Sequence, residues 1–193
     1  MNQSIEIPNS LFSRTIEGFG TINLRPFNLE QDIDIIYDWV TRPYATYWGM
    51  TTKTIEEVIQ EYRTLSSLPH YEVLIGMYKG KPAFLMEKYK ASEDRIASYY
   101  QVKEGDFGMH ILVGPPDHKI AGFTWNVFTT IQAYFFAQPH VVRMVVEPDV
   151  RNEKIHALNK KAGFRYQKEI ELPEKRATLA FCERADYEMS RNN

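Results

Sequence analysis

The stretch HILVGPPDHKIAGFTWN, residues 110 to 126, holds the residues of this chain whose types and spacing could do chemistry. It is typical of an apolar strand that passes through Gly-Pro-Pro into a loop and then into a helix. Backbone N–H groups at a helix N-terminus point outward and carry partial positive charge, so such a loop can hold a phosphate group. A phosphate-binding loop is usually rich in glycine. This stretch has only Gly114 and Gly122, which stand eight residues apart. Two interpretations follow, a ligand loop or a plain strand-to-helix connection.

His110 lies inside the strand that begins this stretch. The unperturbed pKa of histidine is about 6.5, so the side chain can act as a base near neutral pH. The alternative is a half-buried histidine with satisfied hydrogen bonds, which is common in strands.

His118 and His156 have no partner pattern, and the sequence shows no metal-ligand spacing, so we expect no metal site.

The composition limits the class of protein. The chain has 193 residues, of which 44% are hydrophobic and 25% charged, and this suits one domain over residues 1–193, with 1–19 as an N-terminal extension or hairpin. With 23 basic against 25 acidic residues, we expect no nucleic-acid partner. The single cysteine, Cys182, excludes an internal disulfide and favours a cytoplasmic location. We find no signal-peptide pattern and no apolar run near the roughly 20 residues that span a bilayer, so we expect no membrane partner.

Hydrophobic periodicity predicts the elements that position these residues. Alternation around Gly18 and Gly20 predicts a strand or hairpin that ends near Pro26, and two helical patterns follow, the first behind a candidate Asn28 cap. Three apolar strands come next, the first two joined by Lys79-Gly80-Lys81. The third of these strands covers 107–113. The remaining predicted elements are a helix of about 15 residues, the strand 141–147, a helix that ends at Gly163, and strand-like stretches over 164–172 and 177–189.

The predicted order is therefore β-α-α-β-β-β-α-β-α-β-β. It indicates an α/β (α+β) fold with a mixed, mostly antiparallel central sheet and one right-handed β-α-β crossover between strands 107–113 and 141–147. Ligands in such sheets favour the carboxyl ends of strands whose neighbours diverge. Here those ends lie near Gly114 and near residues 147–149.

At this point the sequence resembles a known family. The element order is similar to that of the GNAT acyltransferases, and four blocks resemble the siderophore-biosynthesis group within them, namely GKPAFLMEKYKASEDRIASYY, GDFGMHILVGPP, VVEPDVRNEKIHALNKKAGF and LPEKRATL. That group acylates N-hydroxylated amines such as N-hydroxylysine, N-hydroxycadaverine or N-hydroxyputrescine. The resemblance covers about residues 20 to 182. It implies a GNAT-like fold, with acyl-CoA between two splayed central strands and its pyrophosphate on the loop after the first.

The resemblance implies catalytic roles for two residues. His110 matches the histidine that contacts the hydroxylamine and can take its proton. Asp149 matches the aspartate that follows the neighbouring strand, where it could hold the substrate amine, orient the histidine or cap the next helix. A hydroxylamine nitrogen is less basic than an alkyl amine, so the site must mainly position it against the thioester and remove one proton. A main-chain N–H from residues 111 to 114 should meet the thioester oxygen.

The loop keeps the GNAT frame with two departures. The common loop has Gln or Arg, two residues, Gly, one residue, then Gly or Ala, whereas this one has Lys119, two residues, Gly122, Phe123 and Thr124. We expect main-chain N–H groups from Ile120 to Thr124 to bind the pyrophosphate with help from Lys119, and the missing glycines predict weak CoA binding. The residues expected to bind acyl-CoA are Leu112, Val113, Gly114, Lys119, Ile120, Ala121, Gly122, Phe123, Thr124, Asn152 and Lys161.

Asn159 stands where many GNAT relatives have a tyrosine that protonates the leaving thiolate. An amide has no proton to give at neutral pH. The resemblance therefore leaves this step to His110 after it has accepted a proton, to another side chain or to water.

Three further residues are candidates for the acceptor site, each with a plain alternative. Trp48 could line the acceptor pocket, or belong to a core under a loop. Glu87 could face the cleft, or be exposed on its strand. Lys175 could meet a phosphate or a substrate carboxylate, or be solvated.

These features together predict an acyl-CoA-dependent N-acyltransferase that forms a hydroxamate for an iron chelator. It would move an acetyl group, or a succinyl group, from acyl-CoA to the hydroxylamine nitrogen of an N-hydroxylated lysine or diamine. One alternative is an aminoglycoside-type N-acetyltransferase, which would need acidic residues around a polycationic acceptor. Another is an acyl-CoA-binding domain without turnover. The sequence leaves the oligomeric state, monomer or dimer, open.

Overall fold

The computed structural model of the chain describes residues 9–115 and 119–190. Eight strands form one sheet in the order β1-β2-β3-β4-β5-β6-β8-β7. The strands are β1 (Phe12–Ile16), β2 (Gly20–Pro26), β3 (Tyr71–Tyr78), β4 (Lys81–Lys90), β5 (Asp106–Val113), β6 (Arg143–Val146), β7 (Arg165–Leu172) and β8 (Lys175–Glu183). The helices are α1 (Leu29–Thr41), α2 (Ile55–Ser67), α3 (Phe123–Phe136), α4 (Glu153–Lys161) and α5 (Arg184–Ser190), with 3-10 helices at Pro43–Trp48, Ala91–Glu93 and Arg95–Tyr99.

The pairing confirms the predicted mixed sheet. β1 pairs with β2, β2 with β3, β6 with β8, and β7 with β8, all antiparallel. β5 and β6 are the parallel pair, in register from Asp106 opposite Arg143 to Gly108 opposite Val145, and α3 connects them. The crossover expected around α3 is therefore present.

The first elements begin where the sequence predicts caps and turns. Residues 12–26 form the hairpin of β1 and β2. Its turn contains Gly18 with φ of 71°, and β2 begins at Gly20 with φ of 123°, values that glycine adopts without strain. Asn28 caps α1, because its side chain accepts a hydrogen bond from the Gln31 N–H. Thr54 and Glu57 form a capping box at the start of α2.

The prediction of a strand over residues 177–189 is wrong at its C-terminal end. β8 ends at Glu183, and α5 follows directly. The helical turn buries Tyr187, whose ring stacks on that of Phe136 with centroids 4.8 Å apart. Burial of this aromatic side chain favours the helix over a continued strand.

The described chain divides into two units of packing. The first unit contains the described residues up to Glu87 together with those from His110 to Val127. Its core lies between α1 and α2 and the side chains of β3, β4 and β5, where the amphipathic faces of the helices bury their apolar stripe. The core residues of this unit are Ile36, Trp39, Val40, Ala45, Met50, Val58, Tyr62, Val73, Ile75, Met77, Leu85 and Leu112.

The second unit contains Lys88–Met109 and the described residues from Phe128 onward. Its interior holds charged groups that are satisfied by specific partners. Arg143 donates from Nε to Asp106 at 2.8 Å, and both side chains are buried. Lys88 is also buried and donates to the side-chain oxygen of Gln138 at 2.7 Å, with its ammonium 4.9 Å from the centroid of the Phe107 ring. The expectation of a single domain stays a prediction.

No helix within residues 9–115 and 119–190 is long and apolar enough to cross a membrane.

Candidate active site

A buried carboxylate, that of Glu87, joins His110 to two tyrosines in the first unit. Glu87 Oε2 lies 2.8 Å from His110 Nδ1 and accepts a 2.6 Å hydrogen bond from the Tyr71 hydroxyl. Glu87 Oε1 accepts from the Tyr62 hydroxyl at 3.3 Å. The Glu87 side chain is only 5% exposed, whereas that of His110 is 35% exposed. The cluster therefore has a buried carboxyl group at its centre and a histidine that reaches solvent.

Three neighbouring strands and one helix bring these side chains together. β3, β4 and β5 are consecutive in the sheet and carry Tyr71, Glu87 and His110. Tyr62 comes from α2, where it shares the buried face of the helix with Val58. The same face of the sheet carries the apolar core residues Leu85 and Leu112, two positions along from Glu87 and His110. Side chains two apart on a strand share a face, so the polar cluster continues the core.

Trp48 extends the cluster from the 3-10 helix that follows α1. Its indole N–H donates to the Tyr62 hydroxyl at 3.2 Å, and its ring stands edge-on to the His110 ring at a centroid distance of 6.2 Å. Trp48 is half-buried and packs against the apolar core of the first unit. Trp48 therefore belongs to the core, as its plain alternative states, and its role in an acceptor pocket stays a prediction.

The surroundings of Tyr62 keep its hydroxyl protonated. Burial and the neighbouring Glu87 carboxylate raise the pKa of Tyr62 well above its usual value. A tyrosine hydroxyl that stays protonated remains a hydrogen-bond donor. The alternative of an exposed Glu87 is wrong, since its carboxylate is buried among hydrogen-bond donors.

The backbone of β5 limits which N–H group could meet a thioester oxygen. Gly114 donates its N–H to the carbonyl of Ala83 at 2.9 Å, so this donor is engaged. Alternate residues of a strand direct their N–H groups to opposite edges. Among residues 111 to 114, the N–H groups of Ile111 and Val113 are therefore directed away from β4.

Gly114 and Gly122 have different structural reasons to be glycine. A Cβ on Gly114 would lie 2.6 Å from the Trp39 ring, so packing alone requires its absence. Gly122 has φ of 70° and precedes α3, and among residues 9–115 and 119–190 a Cβ on it would meet only the Asn126 side chain, at 3.6 Å. A left-handed glycine in open space before a helix is compatible with a ligand loop.

The loop before α3 has one of its five main-chain donors engaged. Phe123 donates its N–H to the carbonyl of Ile120 at 3.2 Å. Lys119, Ala121, Gly122 and Thr124 are exposed. The expected donors to the phosphate are therefore the N–H groups of Ile120, Ala121, Gly122 and Thr124, with the Lys119 ammonium. His118 lies outside the described residues.

Asp149 lies in the second unit, where Arg151 binds both of its carboxylate oxygens. The Arg151 N–H and Nε donate to Oδ1 at 2.8 and 2.9 Å, and Nη2 donates to Oδ2 at 2.7 Å. This pairing lowers the pKa of Asp149 to about 2. Asp149 does not cap α4, because Asn152 is the cap and accepts from the Ile155 N–H at 3.4 Å. That alternative was wrong.

Lys175 is not solvated, contrary to its plain alternative. Its ammonium lies 3.5 Å from Glu147 Oε1, and the two side chains are 17% and 5% exposed. Tyr89 donates to the other oxygen of Glu147 at 3.3 Å. Glu147 directly follows the buried strand RMVV; the sequence placed it within the expected ligand region 147–149 but gave it no role. The second unit thus has its own buried carboxylate with a lysine partner.

His156, Tyr166 and Asn159 form a directed chain of hydrogen bonds in the second unit. His156 Nε2 donates to the Asp149 carbonyl at 2.9 Å, so Nδ1 accepts from the Tyr166 hydroxyl at 2.7 Å. Tyr166 in turn accepts from Asn159 Nδ2 at 3.2 Å. Asn159 is buried, and its Oδ1 has no hydrogen-bond partner within the described parts of the chain. The Asn159 amide therefore belongs to this chain of hydrogen bonds and supplies no proton to a thiolate.

The structure brings together three of the residues singled out in the sequence, namely His110, Glu87 and Trp48. Tyr62 and Tyr71 were missed. The only sequence signal near them was a charged pair, Glu87-Lys88, inside an apolar strand. Among residues 9–115 and 119–190, no group of three His, Cys, Asp or Glu side chains is arranged to hold a metal ion.

Comparison with known families and proteins gives consistent matches. A family described as acetyltransferase (GNAT) domain matches residues 28–172. N(6)-hydroxylysine O-acetyltransferase of Escherichia coli is 28% identical over 150 residues, which cover 77% of this chain and 48% of that protein. N-hydroxyputrescine acetyltransferase of Acinetobacter baumannii is 27% identical over 188 residues, covering 97% and 88%. The chain thus spans about half the length of the first relative and most of the second.

Solved structures share the fold. An uncharacterized protein from Bacillus halodurans superposes with a TM-score of 0.88 at 28% identity, and the match covers 95% of each chain. An aminoglycoside acetyltransferase in complex with coenzyme A superposes with a TM-score of 0.77 at 21% identity, over 88% of this chain and 99% of that one. The second likeness concerns the fold alone.

Proposed function

Because the chain belongs to the GNAT acetyltransferase family, we propose that it transfers an acetyl group from acetyl-CoA to the nitrogen of an N-hydroxylated amine. The observation that carries the proposal is the contact between His110 Nδ1 and the buried carboxylate of Glu87, beside Trp48. It equips one partly exposed histidine as a base, and proton removal is the main chemical demand of this reaction. The names of the relatives from Escherichia coli and Acinetobacter baumannii support an N-hydroxylated acceptor.

In the proposed reaction, His110 Nε2 takes the proton of the hydroxylamine nitrogen as that nitrogen attacks the thioester carbonyl. A C–N bond forms, the C–S bond breaks, and the proton on Nε2 passes to the leaving thiolate. Placement of the nitrogen against the carbonyl supplies much of the rate. This route assigns the last proton transfer to His110, because Asn159 cannot serve it.

The N–H of Ile111 or Val113 is the proposed donor to the thioester oxygen as that oxygen gains charge. Both are directed away from β4, whereas the N–H of Gly114 is engaged with Ala83. The loop from Lys119 to Thr124 is the proposed pyrophosphate site, and Leu112, Asn152 and Lys161 are the further residues proposed to bind acyl-CoA. Asp149 and Lys175 are proposed to bind the acceptor.

Acetyl is the proposed acyl group, with succinyl as the alternative donor, and the acceptor is an N-hydroxylated lysine or diamine. The relative from Acinetobacter baumannii is matched along nearly the whole chain, and its name specifies a hydroxylated diamine. We propose a cytoplasmic location, supported by one cysteine, Cys182, which is buried as a free thiol.

The test is an acceptor panel with purified protein and acetyl-CoA. The panel contains N-hydroxylysine, N-hydroxyputrescine and N-hydroxycadaverine, the three parent amines, and an aminoglycoside. Released thiol reports turnover, and added iron(III) reports a hydroxamate, because an N-acylated hydroxylamine chelates iron whereas its O-acylated isomer does not. We expect thiol and hydroxamate in equal amounts with at least one hydroxylated amine, and the same panel with succinyl-CoA then ranks the donors.

His110→Gln is the matched variant, because it keeps a polar side chain of similar size. General-base catalysis contributes about 10²- to 10⁴-fold, so we expect kcat to fall by that factor while the protein stays folded. Turnover of the parent amines but of no hydroxylated form would contradict the proposal, and so would turnover of the aminoglycoside alone. Binding of acetyl-CoA without thiol release for every acceptor would indicate a binding domain. Thiol without hydroxamate would indicate O-acylation.

A further inference from the structure

We propose that Glu87 is a positioning residue that fixes the tautomer of His110, and that Tyr62 and Tyr71 hold its carboxylate in place for this task. The inference rests on the proposed function only in taking His110 as the base. It adds a residue that acts through His110 rather than on the substrate. The sequence assigned Glu87 to the acceptor site, whereas its two oxygens are bound within the protein.

The directions of the hydrogen bonds start at Trp48. An indole N–H can only donate, so the Tyr62 oxygen accepts from Trp48 at 3.2 Å. The hydroxyl hydrogen of Tyr62 then points to Glu87 Oε1. Tyr71 donates to Glu87 Oε2 in the shortest contact of the cluster, 2.6 Å. Two hydroxyl groups thus direct their hydrogens at one buried carboxylate.

The contact between Glu87 Oε2 and His110 Nδ1, at 2.8 Å, is short enough for one shared proton. Both carboxylate oxygens accept an O–H hydrogen, from Tyr62 and Tyr71, and a carboxylate has no proton to give, so the facing Nδ1 is the donor. The two O–H donors stabilise the carboxylate further. The proton therefore resides on Nδ1, and the lone pair resides on Nε2.

This tautomer suits a general base. A carboxylate on Nδ1 holds the ring orientation and stabilises the imidazolium that forms when Nε2 takes a proton. His110 Nδ1 is also 3.5 Å from the Tyr71 hydroxyl, so a ring rotation would break contacts on two strands at once. The edge of the Trp48 ring packs beside the same imidazole. The first unit therefore holds the base rigidly.

The titratable groups around His110 come from three elements. Glu87 lies on β4, Tyr71 on β3 and Tyr62 on α2, while Trp48 does not titrate. Glu61, also on α2, acts on Tyr62 through its charge and pairs with Lys53 at 3.0 Å. Glu61→Gln therefore removes one negative charge from the same region without touching the His110 contact.

The experiment uses the full chain labelled with ¹⁵N, as the wild type and as Glu87→Gln, Glu87→Asp, Tyr71→Phe and Glu61→Gln variants. Imidazole nitrogen shifts are recorded above the titration of His110, which is assigned by loss of its signals in His110→Gln. We expect the wild type and Glu61→Gln to have the proton on Nδ1. Glu87→Gln should lose this preference, because a neutral amide no longer favours a proton on the facing nitrogen.

Kinetics supply the second readout. We expect kcat of Glu87→Gln to fall on the order of 100-fold, as for other partners that orient a histidine, with KM for acetyl-CoA unchanged. The acidic limb of its pH profile should move to lower pH, because the imidazolium loses its carboxylate partner. Glu87→Asp should recover part of kcat, and Tyr71→Phe, which removes one donor of about 1 kcal/mol, should lose only a few-fold.

A wild-type His110 with the proton on Nε2 would overturn the proposal, as would a Glu87→Gln variant with unchanged shifts and an unchanged acidic limb. If Glu87→Gln fails to fold, the Tyr71→Phe variant and the wild-type tautomer still decide the outcome. The tautomer is measured without any acceptor. Failure of the acceptor panel therefore contradicts the proposed reaction, whereas a wrong tautomer contradicts the role of Glu87.

Discussion

Glu87 and Asp149 are buried carboxylates with opposite environments, and the difference assigns them different tasks. Glu87 is buried and accepts hydrogen bonds from neutral tyrosine hydroxyls and from His110. Asp149 is paired with the Arg151 guanidinium, whose own side chain is 74% exposed. A carboxylate held as an anion by a cation is a weak base. We therefore assign the orientation of His110 to Glu87, and Asp149, which follows β6, stays an anionic group proposed for the acceptor.

At the residue scale, Asp149→Asn should lower stability in a pH-dependent way. The folded-state pKa of Asp149 is about 2, below the ordinary value of 3.8, so the carboxylate contributes stability above about pH 4. This contribution declines as pH falls through the folded-state pKa. We expect Asp149→Asn to lower the free energy of unfolding by about 1–2 kcal/mol at pH 6. This is less than the full pKa shift of Asp149 would give, because Arg151 is exposed to solvent.

Urea unfolding of wild type and Asp149→Asn between pH 6 and pH 2 measures this difference. The two free energies of unfolding should converge as the pH approaches 2. Arg151→Gln is the paired control and should have a similar cost at pH 6, because it removes the other half of the same ion pair. A difference that stays constant down to pH 2 would contradict the assignment of the ion pair as its source.

Only part of the residue-level site could be predicted from the sequence. The strand of His110 follows from an apolar pattern, the role proposed for His110 came from the family resemblance, and Glu87 was visible as a charge in an apolar strand. The partners Tyr62 and Tyr71 lie 25 and 16 residues from Glu87 along the chain. Such contacts depend on the pairing of β3 with β4 and the packing of α2, and side-chain periodicity does not encode these relations.

At the element scale, the strands around the site are spaced by glycines that face aromatic rings. A Cβ on Gly76 would lie 2.0 Å from the Phe84 ring, and one on Gly108 would lie 2.1 Å from the Tyr89 ring. Gly114, at the end of β5, faces the Trp39 ring of α1. Gly76 and Gly108 leave room for a ring from the neighbouring strand, and Gly114 leaves room for a ring from α1, so their positions reflect packing.

Gly114→Ala should therefore destabilise the first unit without any effect on backbone conformation. The added methyl group meets a rigid ring in a filled core, and overpacking of this kind costs about 1–3 kcal/mol. Trp39→Phe makes room, so the same glycine change should cost less in the Trp39→Phe background. Thermal unfolding of the four proteins in this double-mutant cycle measures the coupling. Equal costs in both backgrounds would show that Trp39 is not the obstacle.

Most elements could be predicted, because helices and half-buried strands have distinct periodicities. The alternation around Gly18 and Gly20 predicted the first hairpin, and Asn28 predicted the start of α1. The C-terminal helix α5 was missed. Its seven residues contain one buried side chain, Tyr187, which is too little apolar periodicity to separate a short helix from a strand.

At the scale of the whole molecule, the charge is nearly balanced, with 23 basic and 25 acidic residues. Long-range attraction therefore adds little to the binding of an anionic ligand such as CoA. Affinity must then come from local donors, and the donors that we propose are the main-chain N–H groups and Lys119 in the loop before α3. The family resemblance predicted this loop, whereas the balanced composition alone predicted only a globular protein without a nucleic-acid partner.

Acetyl-CoA should accordingly stabilise the whole protein by mass action. A ligand that binds only the folded state contributes about 2.7 kcal/mol at one hundred times its dissociation constant. For a chain of this length each kcal/mol raises Tm by about 2–4 °C, so the expected increase is about 5–10 °C. Thermal unfolding over a concentration series, with Kd from calorimetry, checks the relation.

Lys119→Ala should need a higher acetyl-CoA concentration for the same increase in Tm, because it lacks the one side-chain cation assigned to the loop. Lys53→Ala removes the same charge from the Glu61 ion pair and should follow the wild type. Equal Kd values for both variants would mean that the main-chain donors alone bind the phosphate. No increase in Tm at any acetyl-CoA concentration would contradict the binding of CoA by this chain.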